Sequence, residues 1–352
     1  MMMKQYNFLN EDLRLERLSK MGDPLVKLRA AVDFEVFRSL LNSIFGKIDE
    51  KDMSKGGRPP YDIVLMFKVL ILQQLYNISD DATEYMINDR LSFQRFLGIT
   101  PGDKVPDSKT IWLFRDTLTK SEREKELFDM FNLQLVDMGV ITRKGSIVDA
   151  SFVDVPRQRN TRDENQTIKD GNVPKEWPEN ENDTDEIKVK KANKLAQKDT
   201  DARWAKKGEE THFGYKDNIK TDAESKMITE FIVTNASVHD SQNFADILDE
   251  HDEVVNADSA YVGANIETEI REKLDDEETG KKVTLNINEK GYKNKPLTDE
   301  QKESNREKSR VRARVEHVFG HITNSMGGMF VRAVGKAKTR QVHSPSCRIL
   351  RV

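Results

Sequence analysis

Apolar residues follow a helical period through the first third of the chain. Over residues 22–41 they recur at spacings of three and four, which predicts a helix with one face in a core. The stretch at residues 63–76 is apolar on nearly every side and is typical of a buried central helix. Two shorter helices are expected after it, DDATEYMINDRLSFQRFLGI and PDSKTIWLFRDTLTK, and Asp107 and Ser108 are candidate N-caps of the second. Residues 1–135 are therefore predicted to form an all-helical domain.

The period changes at Gly145, where runs of β-favouring residues begin. SIVDASFVDV predicts a first strand, and HFGYKDNIKTD with KMITEFIVTNASV predicts a hairpin of two long strands. Helices and strands then alternate up to a long helix, which is predicted from about Asp299 through Met326. The order βββαβαβα is typical of a mixed sheet with helices on its faces, so residues 136–340 are predicted to form an α/β domain.

Residues 163–205 interrupt this pattern between the first and second strands. These 43 positions hold 11 acidic and 8 basic side chains and only seven large apolar ones. So few apolar side chains bury too little surface to offset the entropy that is lost on ordering. The segment is predicted to be an inserted polar arm that is mobile or helical in part.

Three acidic residues occupy positions where the surrounding pattern is apolar. Asp149 ends the mini-strand IVDAS, Asp258 ends another in VVNADSAY, and Glu316 lies mid-helix in RVEHVFGH. A charge at such a position is costly unless it is paired or bound to a metal. Adjacent strands would place the two aspartates side by side, and a helix packed across them could add the glutamate.

A cluster of carboxylate oxygens suits Mg²⁺ or Mn²⁺, and two such ions about 3.5–4 Å apart stabilise the attacking and leaving oxygens of phosphoryl transfer. The alternative is that each aspartate only forms a turn at the end of its strand. Asp154 and Glu307 are rival candidates for the first and last positions, in more polar surroundings. The residues alone leave these choices open.

Five motifs follow one another along the chain: IVDASFV, HFGYK, TNASVHDSQ, NADSAYVG and RVRARVEHVFG. In this order they resemble the catalytic domain of insertion-sequence DDE transposases, particularly the IS-five family of the IS-four-like superfamily. GDPLVKLRAAVDF and KGGRPPYDIVLMFKVLILQQLY look like the leading helical region of the same family. The resemblance extends from about residue 20 to residue 340.

The resemblance implies an RNase H-like catalytic core in which Asp149, Asp258 and Glu316 form the catalytic triad. It also implies that these three acids hold two Mg²⁺ ions, with Mn²⁺ as an alternative. The acids are 109 and 58 residues apart, and the first interval includes the polar arm.

The superfamily has a further signature of tyrosine, arginine, glutamate and lysine around the last acid. Arg312 matches its arginine, four residues before Glu316, whereas Ser309 and Thr323 replace the tyrosine and the lysine. The departure leaves the triad intact, and no role in handling the DNA end is carried over to those two positions.

Charge is distributed unevenly along the chain. The sequence has 57 Lys and Arg and 61 Asp and Glu, a net charge of −4, which gives no global sign of nucleic-acid binding. Residues 301–340, however, hold ten Lys and Arg against three acids, a local net charge of +7. This basic stripe suits contact with DNA phosphates. The candidate DNA-contacting residues are Lys308, Arg310, Arg312 and Arg314, with Lys216 of HFGYK as a further one.

The alternatives are that the basic stripe is an ordinary solvated helix face and that Lys216 only flanks the sheet. Base-specific contacts are expected from the N-terminal helices instead, with the helix that begins near Ser108 as the groove-reading element.

Several protein classes are excluded by the pattern and composition. No run approaches the roughly 20 apolar residues of a membrane-spanning helix, and the N-terminus lacks the apolar region of a secretory signal. The single cysteine, Cys347, excludes an intramolecular disulfide and a cysteine-based zinc site. A cytoplasmic protein is therefore expected.

Together with the resemblance, these features predict a DNA transposase, that is, an endonuclease and polynucleotidyl transferase. It is expected to hydrolyse a phosphodiester bond at each element end and to transfer the freed 3′-hydroxyl to target DNA. Its expected partners are double-stranded DNA, as terminal inverted repeats and as target, and a second copy of the chain on that DNA. Two alternatives stay open: an RNase H-like nuclease without strand transfer, and a transposase-derived DNA-binding protein that is inactive through C-terminal truncation.

The last twelve residues, QVHSPSCRILRV, have no apolar helical period. Chains of the family continue past the basic segment VRAVGKAKTR into an amphipathic helix that packs beside the catalytic core. The atypical tail at residues 341–352 is interpreted as the product of a frameshift, and we expect it to lack regular structure and to leave the protein destabilised. The alternative is a subfamily with a naturally short end.

Overall fold

The structure, a computed structural model, consists of two compact units. It describes residues 8–46, 60–261, 263–276, 278, 280–292, 294, 296–326 and 329–343. The first unit ends at Gln134 and the second begins at Leu135.

Helices make up the regular structure of the first unit where it is described. Their bounds are α1 (Phe8–Lys20), α2 (Pro24–Ala31), α3 (Arg38–Phe45), α4 (Ile63–Tyr76), α5 (Asp80–Asp89), α6 (Leu91–Leu97), α7 (Ser108–Ser121) and α8 (Glu124–Asp137). Nine of the fourteen residues of α4 are buried, so the prediction of a buried central helix is confirmed.

The single helix predicted over residues 22–41 is wrong, because the chain breaks it at Asp33. α2 ends before this residue, and a short 3₁₀ turn (Phe34–Phe37) precedes α3. The Asp33 carboxylate accepts the backbone N–H of Glu35 at 3.0 Å, which is how an N-cap starts a new helix. Val36, counted in the apolar period, is 40% exposed. The predicted helix DDATEYMINDRLSFQRFLGI is likewise divided, into α5 and α6.

A mixed sheet forms the centre of the second unit. Its described strands are β1 (Ser146–Asp154), β2 (Arg203–Lys207), β3 (Glu210–Asp222), β4 (Ile228–Asn235), β5 (Val254–Ala257) and β6 (Thr284–Ile287). Their order is β2-β3-β1-β5-β6, and β4 also pairs with β3. β1 is antiparallel to β3 but parallel to β5, which is parallel to β6. The prediction of an α/β, RNase H-like mixed-sheet domain preceded by an all-helical domain is confirmed.

Helices of the second unit pack against this sheet or lie in the segment between β1 and β2. The described ones are α9 (Arg162–Lys169), α10 (Asp185–Ala196), α11 (Phe244–Ile247), α12 (Ala264–Leu274), α13 (Asp299–Arg312), α14 (Arg314–Ser325) and α15 (Lys336–His343). α11 and α12 share a hydrophobic cluster with Val148, Val255 and Ala257 of the sheet. Side chains alternate along a strand, so Asp149 points to the other face, where Arg312 at the end of α13 reaches it.

The long helix predicted from about Asp299 through Met326 is two helices, α13 and α14, divided at Ala313. Ala313 has ψ −15°, closer to a 3₁₀ turn than to an α-helix, and its carbonyl accepts the N–H of Glu316 three residues on. Arg312 and Glu316 therefore lie on different helices and not on one continuous helix face.

The polar arm predicted at residues 163–205 folds around Trp177, which is fully buried. Nε1 of Trp177 donates to Oε1 of Glu164 at 2.7 Å. The ammonium groups of Lys194 and Lys198 lie 5.4 and 4.9 Å from the centre of the indole ring. Long basic side chains thus cover apolar surface that the few apolar residues of the arm would leave exposed. The arm contains α9 and α10, and β2 begins within the predicted range.

Gly214, in the motif HFGYK, marks the position where two strands meet along one edge of β3. β2 pairs with β3 up to Gly214, and β4 pairs with β3 from Tyr215 onward. Gly214 has φ +151°, and a Cβ atom built there would lie 2.1 Å from the backbone oxygen of Val153 on β1. The close approach of β1 and β3 therefore requires glycine at this position.

Asp222 is buried at the end of β3, in the turn that leads to β4. Its carboxylate accepts hydrogen bonds from the Arg143 N–H at 2.9 Å and from Ser225 N–H and Oγ, both at 2.8 Å. Burial alone would raise the pKa of Asp222, but these hydrogen bonds and one from Thr142 outweigh it and hold the pKa below its ordinary value.

We expect Asp222 to stabilise the fold only while it is ionised. Because its folded-state pKa lies below the unfolded value of about 3.9, this contribution is complete above that value and is lost as the pH falls through the folded pKa. Asp222→Asn should lower the free energy of unfolding by roughly 1–3 kcal/mol near neutral pH, and by less near pH 3. Urea unfolding at the two pH values measures the difference, and an equal loss at both would contradict the assignment.

Among the described helices, none is by itself long and apolar enough to cross a membrane.

The backbone of α15 ends at His343. The tail predicted at residues 341–352 therefore falls mainly on residues 344–352, which lie outside the described residues.

Candidate active site

Asp149 and Asp258 lie side by side where the paired segments of β1 and β5 end. In this parallel pair Ile147 is opposite Asn256, a separation of 109 residues. Asp149 and Asp258 each lie two residues beyond this last pair, and the charge of Asp258 acts on the carboxyl group of Asp149. Neighbouring strands are about 4.8 Å apart. The structure therefore brings these two predicted site residues together.

Each aspartate is oriented by the backbone that follows it. Oδ1 of Asp149 accepts the N–H of Ala150 at 2.9 Å, and Oδ1 of Asp258 accepts the N–H of Ser259 at 2.6 Å. One oxygen of each carboxylate is thus held locally, which leaves the second oxygen of each for a partner from elsewhere.

Arg312 is the partner of Asp149. Its Nη1 lies 3.2 Å from Oδ2 of Asp149, and both side chains are about four-fifths buried. Burial and the neighbouring charge of Asp258 raise the pKa of Asp149, while the Ala150 N–H and Arg312 act in the opposite direction. The Nε of Arg312 is buried without a hydrogen-bond partner among the described residues. The guanidinium therefore offsets the repulsion between the two carboxylates, and one of its donors is left without a partner inside the described structure.

Tyr261 is buried beside this pair, and its hydroxyl oxygen has no hydrogen-bond partner in the part of the chain that is described. Burial, together with the charges of Asp240, Asp149 and Asp258, raises the pKa of Tyr261. The phenol therefore remains protonated at physiological pH and is a poor nucleophile.

Two hydrogen bonds fix α13 to the end of β6, next to the paired aspartates. Ser309, where the superfamily has tyrosine, accepts from Nδ2 of Asn288 at 3.0 Å, and Nζ of Lys308 donates to the carbonyl of Ile287 at 3.0 Å. Ser309 and Lys308 thus hold the helix that carries Arg312. Contact between Lys308 and DNA stays a prediction.

Glu316 lies in the first turn of α14 and is exposed. Across the described ranges, no group of three or more His, Cys, Asp or Glu side chains is close enough to hold a metal ion. The role of Glu316 as a third ligand therefore stays a prediction. Asp149 and Asp258 by themselves supply hard carboxylate oxygens, and one or two carboxylates completed by water and phosphate oxygens suit Mg²⁺.

The other candidate DNA contacts differ in how free they are. Arg310 is exposed, and its side chain makes no hydrogen bond or ion pair with any residue described. Nη1 of Arg314 donates to the carbonyl of Ala223 at 2.6 Å. Lys216 is only 12% exposed and pairs with Asp240 at 2.7 Å. Arg310 is therefore the most open of the three, and DNA contact by each of them stays a prediction.

One charged neighbour of Asp149 was missed by reasoning from the sequence. The charge of Lys207, at the end of β2, partly opposes the rise in the pKa of Asp149 that burial causes. β2 falls partly in the predicted polar arm, and its residues RWAKK carry only a weak alternation of apolar and polar positions. This alternation could have predicted the strand β2. The approach of Lys207 to Asp149 could not be predicted from it, because that approach depends on tertiary structure.

Comparison with known protein families agrees with this geometry. The family model for a transposase domain (DUF772) matches residues 13–117, and that for the transposase DDE domain matches residues 142–341, more than half of the chain. No solved structure matches the chain at a significant level. Assignment to the IS-five family stays a prediction. With the paired aspartates on an RNase H-like sheet and these two matches, the chain belongs to the insertion-sequence DDE transposases.

Proposed function

We propose that this DNA transposase hydrolyses a phosphodiester bond at each end of its element and then joins the freed 3′-hydroxyl to target DNA. The observation that carries the proposal is the proximity of Asp149 and Asp258 just beyond the paired β1–β5 segment, with Arg312 in contact with Asp149. Two carboxylates and a guanidinium beside two central strands of the sheet suit a phosphodiester with bound cations.

Asp149, Asp258 and Glu316 would hold the divalent cations, two Mg²⁺ or Mn²⁺ ions in this proposal. Once bound, such ions lower the pKa of a bound water and stabilise the charge on the attacking and leaving oxygens. The fit rests on the donor chemistry of the paired aspartates, since their carboxylate oxygens are the ligands that these ions prefer.

The residues of the chain have distinct roles around that centre. The backbone N–H groups of Ala150 and Ser259 orient the aspartates, so that their second oxygens face the site. Arg312 offsets part of the negative charge of the pair before substrate arrives. Tyr261 stays protonated and is no competing nucleophile, and in this proposal water and then the freed 3′-hydroxyl attack the phosphorus atoms.

In this proposal the helical unit recognises the element ends, and α7 is the helix that reads the groove. The chain acts as a homodimer on DNA, in the cytoplasm. The N-terminus of α7 is capped by Asp107, whose carboxylate accepts the N–H of Thr110 at 2.7 Å. Trp112 and Leu113 on this helix are 52% and 57% exposed. Exposed side chains in the first turns of a helix are those that reach base edges in a major groove.

An in vitro reaction tests the proposed function. The purified chain is incubated with Mg²⁺ and labelled duplexes that carry the inverted repeats flanking its gene, with a supercoiled plasmid as target. We expect cleavage at the repeat ends that leaves 3′-hydroxyls, followed by joining to the plasmid, and neither product with excess EDTA or with scrambled repeats. Cleavage without joining would support a nuclease, and specific binding without cleavage would support an inactive DNA-binding protein.

A further inference from the structure

A cavity of about 260 Å³ lies at the base of the polar arm, apart from the paired aspartates. Its volume is several times the roughly 30 Å³ that a water molecule occupies in the liquid. Its walls carry four cations and one carboxylate, a formal charge of +3. The cations of this arm-base cavity are Arg157, Arg159, Lys194 and Lys198.

The one carboxylate in the wall, that of Asp199, is buried and is bonded at both oxygens. Oδ1 accepts the hydroxyl of Tyr215 at 2.6 Å and the N–H groups of Asp201 and Ala202, and Oδ2 accepts the N–H of Gly335 at 3.0 Å. Because these donors already stabilise the charge of Asp199, little of it is left to neutralise the four cations.

The two arginines are open to a ligand. Arg159 is exposed, and its side chain makes no hydrogen bond or ion pair with any of the described residues. Arg157 donates to the carbonyl of Thr211 at 3.2 Å, and its guanidinium lies 5.5 Å from the ring centre of Trp204. Neither has a carboxylate partner within the described ranges, so their charge is available to an anion.

The two lysines hold the arm in place and add charge to the same cavity. Nζ of Lys198 donates to the backbone carbonyl of Arg159 at 3.1 Å. Nζ of Lys194 is 3.6 Å from Glu164, which is itself bonded to Trp177. Glu164 is thus the one acidic side chain at ion-pair distance from a cavity cation in the described structure, and the cavity keeps an excess of positive charge.

We propose that the arm-base cavity binds a backbone phosphate of the DNA duplex held at Asp149 and Asp258, an inference that rests on the proposed transposase function. Clustered arginine and lysine side chains recognise phosphate oxygens, and the aromatic Trp204 beside them suits the adjoining sugar. Arg157 follows Asp149 by eight residues of extended chain, at most about 26 Å. That span corresponds to no more than about eight base pairs at about 3.4 Å each.

Salt-dependent DNA binding tests the inference through Arg159, whose side chain has no structural contact to lose. Arg159→Gln should reduce the slope of log affinity against log salt concentration by about 0.9, the value for one lost phosphate contact. Arg159→Lys should retain the slope. Lys190→Gln is the matched control, because Lys190 is exposed on α10 in the same arm but does not line the cavity.

The length of the duplex provides a second test. Duplexes that extend about 12 base pairs to either side of the cleavage point cover the whole of this span, whereas duplexes trimmed on one side to about one base pair do not. The effect of Arg159→Gln should appear with the longer duplex and vanish when one of the two sides is trimmed. An effect that does not depend on duplex length would contradict a phosphate contact at this distance.

Tryptophan fluorescence separates DNA from free phosphate as the source of the anion. The chain has three tryptophans, of which Trp177 and Trp204 lie beside cavity cations, so the part of the emission change that Arg159→Gln removes reports on the cavity. We expect the duplex to change their emission at micromolar concentration. Inorganic phosphate should change it only at a far higher concentration, and sodium chloride at equal ionic strength serves as the control. A response to inorganic phosphate and none to the duplex would overturn the proposal.

The outcomes also separate this inference from the proposed function. A wild-type chain that cleaves the element ends, with Arg159→Gln and Lys190→Gln showing the same salt slope, would overturn the cavity proposal alone. A wild-type chain that neither binds nor cleaves the duplex would overturn the proposed function and the cavity proposal together.

Discussion

Asp149→Asn and Asp258→Asn are each expected to reduce cleavage at the element ends by at least roughly 10²–10³-fold, the usual cost of removing one group that stabilises a transition state. Each substitution removes a charge from the pair that would hold the cations and keeps the shape of the side chain. Affinity for the uncut duplex should not fall, because a carboxylate near phosphates repels them and its loss relieves that repulsion. Single-turnover cleavage and filter binding on the same duplex measure the two effects.

Matched controls come from the two acids that are rival candidates in the sequence, Asp154 and Glu307. Asp154→Asn changes a carboxylate on the same strand as Asp149, and Glu307→Gln changes one on α13, so neither should alter cleavage. Glu316→Gln should behave like the two aspartate variants if Glu316 is the third ligand. Full cleavage by Glu316→Gln would remove this residue from the triad, and a larger loss from Asp154→Asn than from Asp149→Asn would contradict the assignment of the first acid.

Gly214→Ala is expected to lower the free energy of unfolding of the second unit by roughly 2–6 kcal/mol, since it adds backbone strain to a steric clash. The added methyl group would meet the backbone oxygen of Val153 at 2.1 Å, and φ of +151° is unfavourable for any residue with a Cβ atom. The strands β1 and β3 would have to separate at this position. Urea unfolding followed by tryptophan fluorescence measures the loss. A Trp112→Phe variant serves as the parent chain, because its two remaining tryptophans, Trp177 and Trp204, both lie in the second unit.

Gly320→Ala is the matched control for this prediction. Gly320 lies inside α14, and a Cβ atom there would meet nothing within 4 Å. Replacing glycine by alanine in a helix interior usually raises stability by about 1 kcal/mol, so the same chemical change should have opposite signs at the two positions. Equal stability of the two variants would show that the approach of β1 to β3 does not require glycine.

The sequence predicted those parts of the fold that depend on local pattern. The buried helix α4 and the β3–β4 hairpin follow from runs of apolar and β-favouring residues, and both are present as expected. The breaks at Asp33 and Ala313 were missed because the apolar period continues across them. At Asp33 a carboxylate caps a new helical turn, and at Ala313 the backbone forms a tighter turn with a hydrogen bond three residues apart. Neither feature changes the pattern of apolar residues.

The contacts of the candidate site were less predictable than its residues. The motifs identified Asp149, Asp258 and Arg312, but the ion pair between Arg312 and Asp149 joins residues 163 positions apart. The burial of Trp177 likewise depends on two lysines that reach across the arm. Such contacts are set by the packing of distant elements, for which the composition of a segment is a poor guide. This is why the arm was expected to be largely without a core of its own.

The parallel register of β1 and β5 has a consequence for comparing this chain with its relatives. The two aspartates are brought together by hydrogen bonding between adjacent strands, while the chain between them passes through the arm and the β3–β4 hairpin. Lengthening, shortening or exchanging the arm would change their distance in the sequence without moving either carboxylate. Interval length between the acids is therefore a poor criterion for homology, and an alignment should be anchored on the strands instead. For the same reason, a different segment can replace the arm, in evolution or by engineering, without a change in the β1–β5 register that brings the two aspartates together.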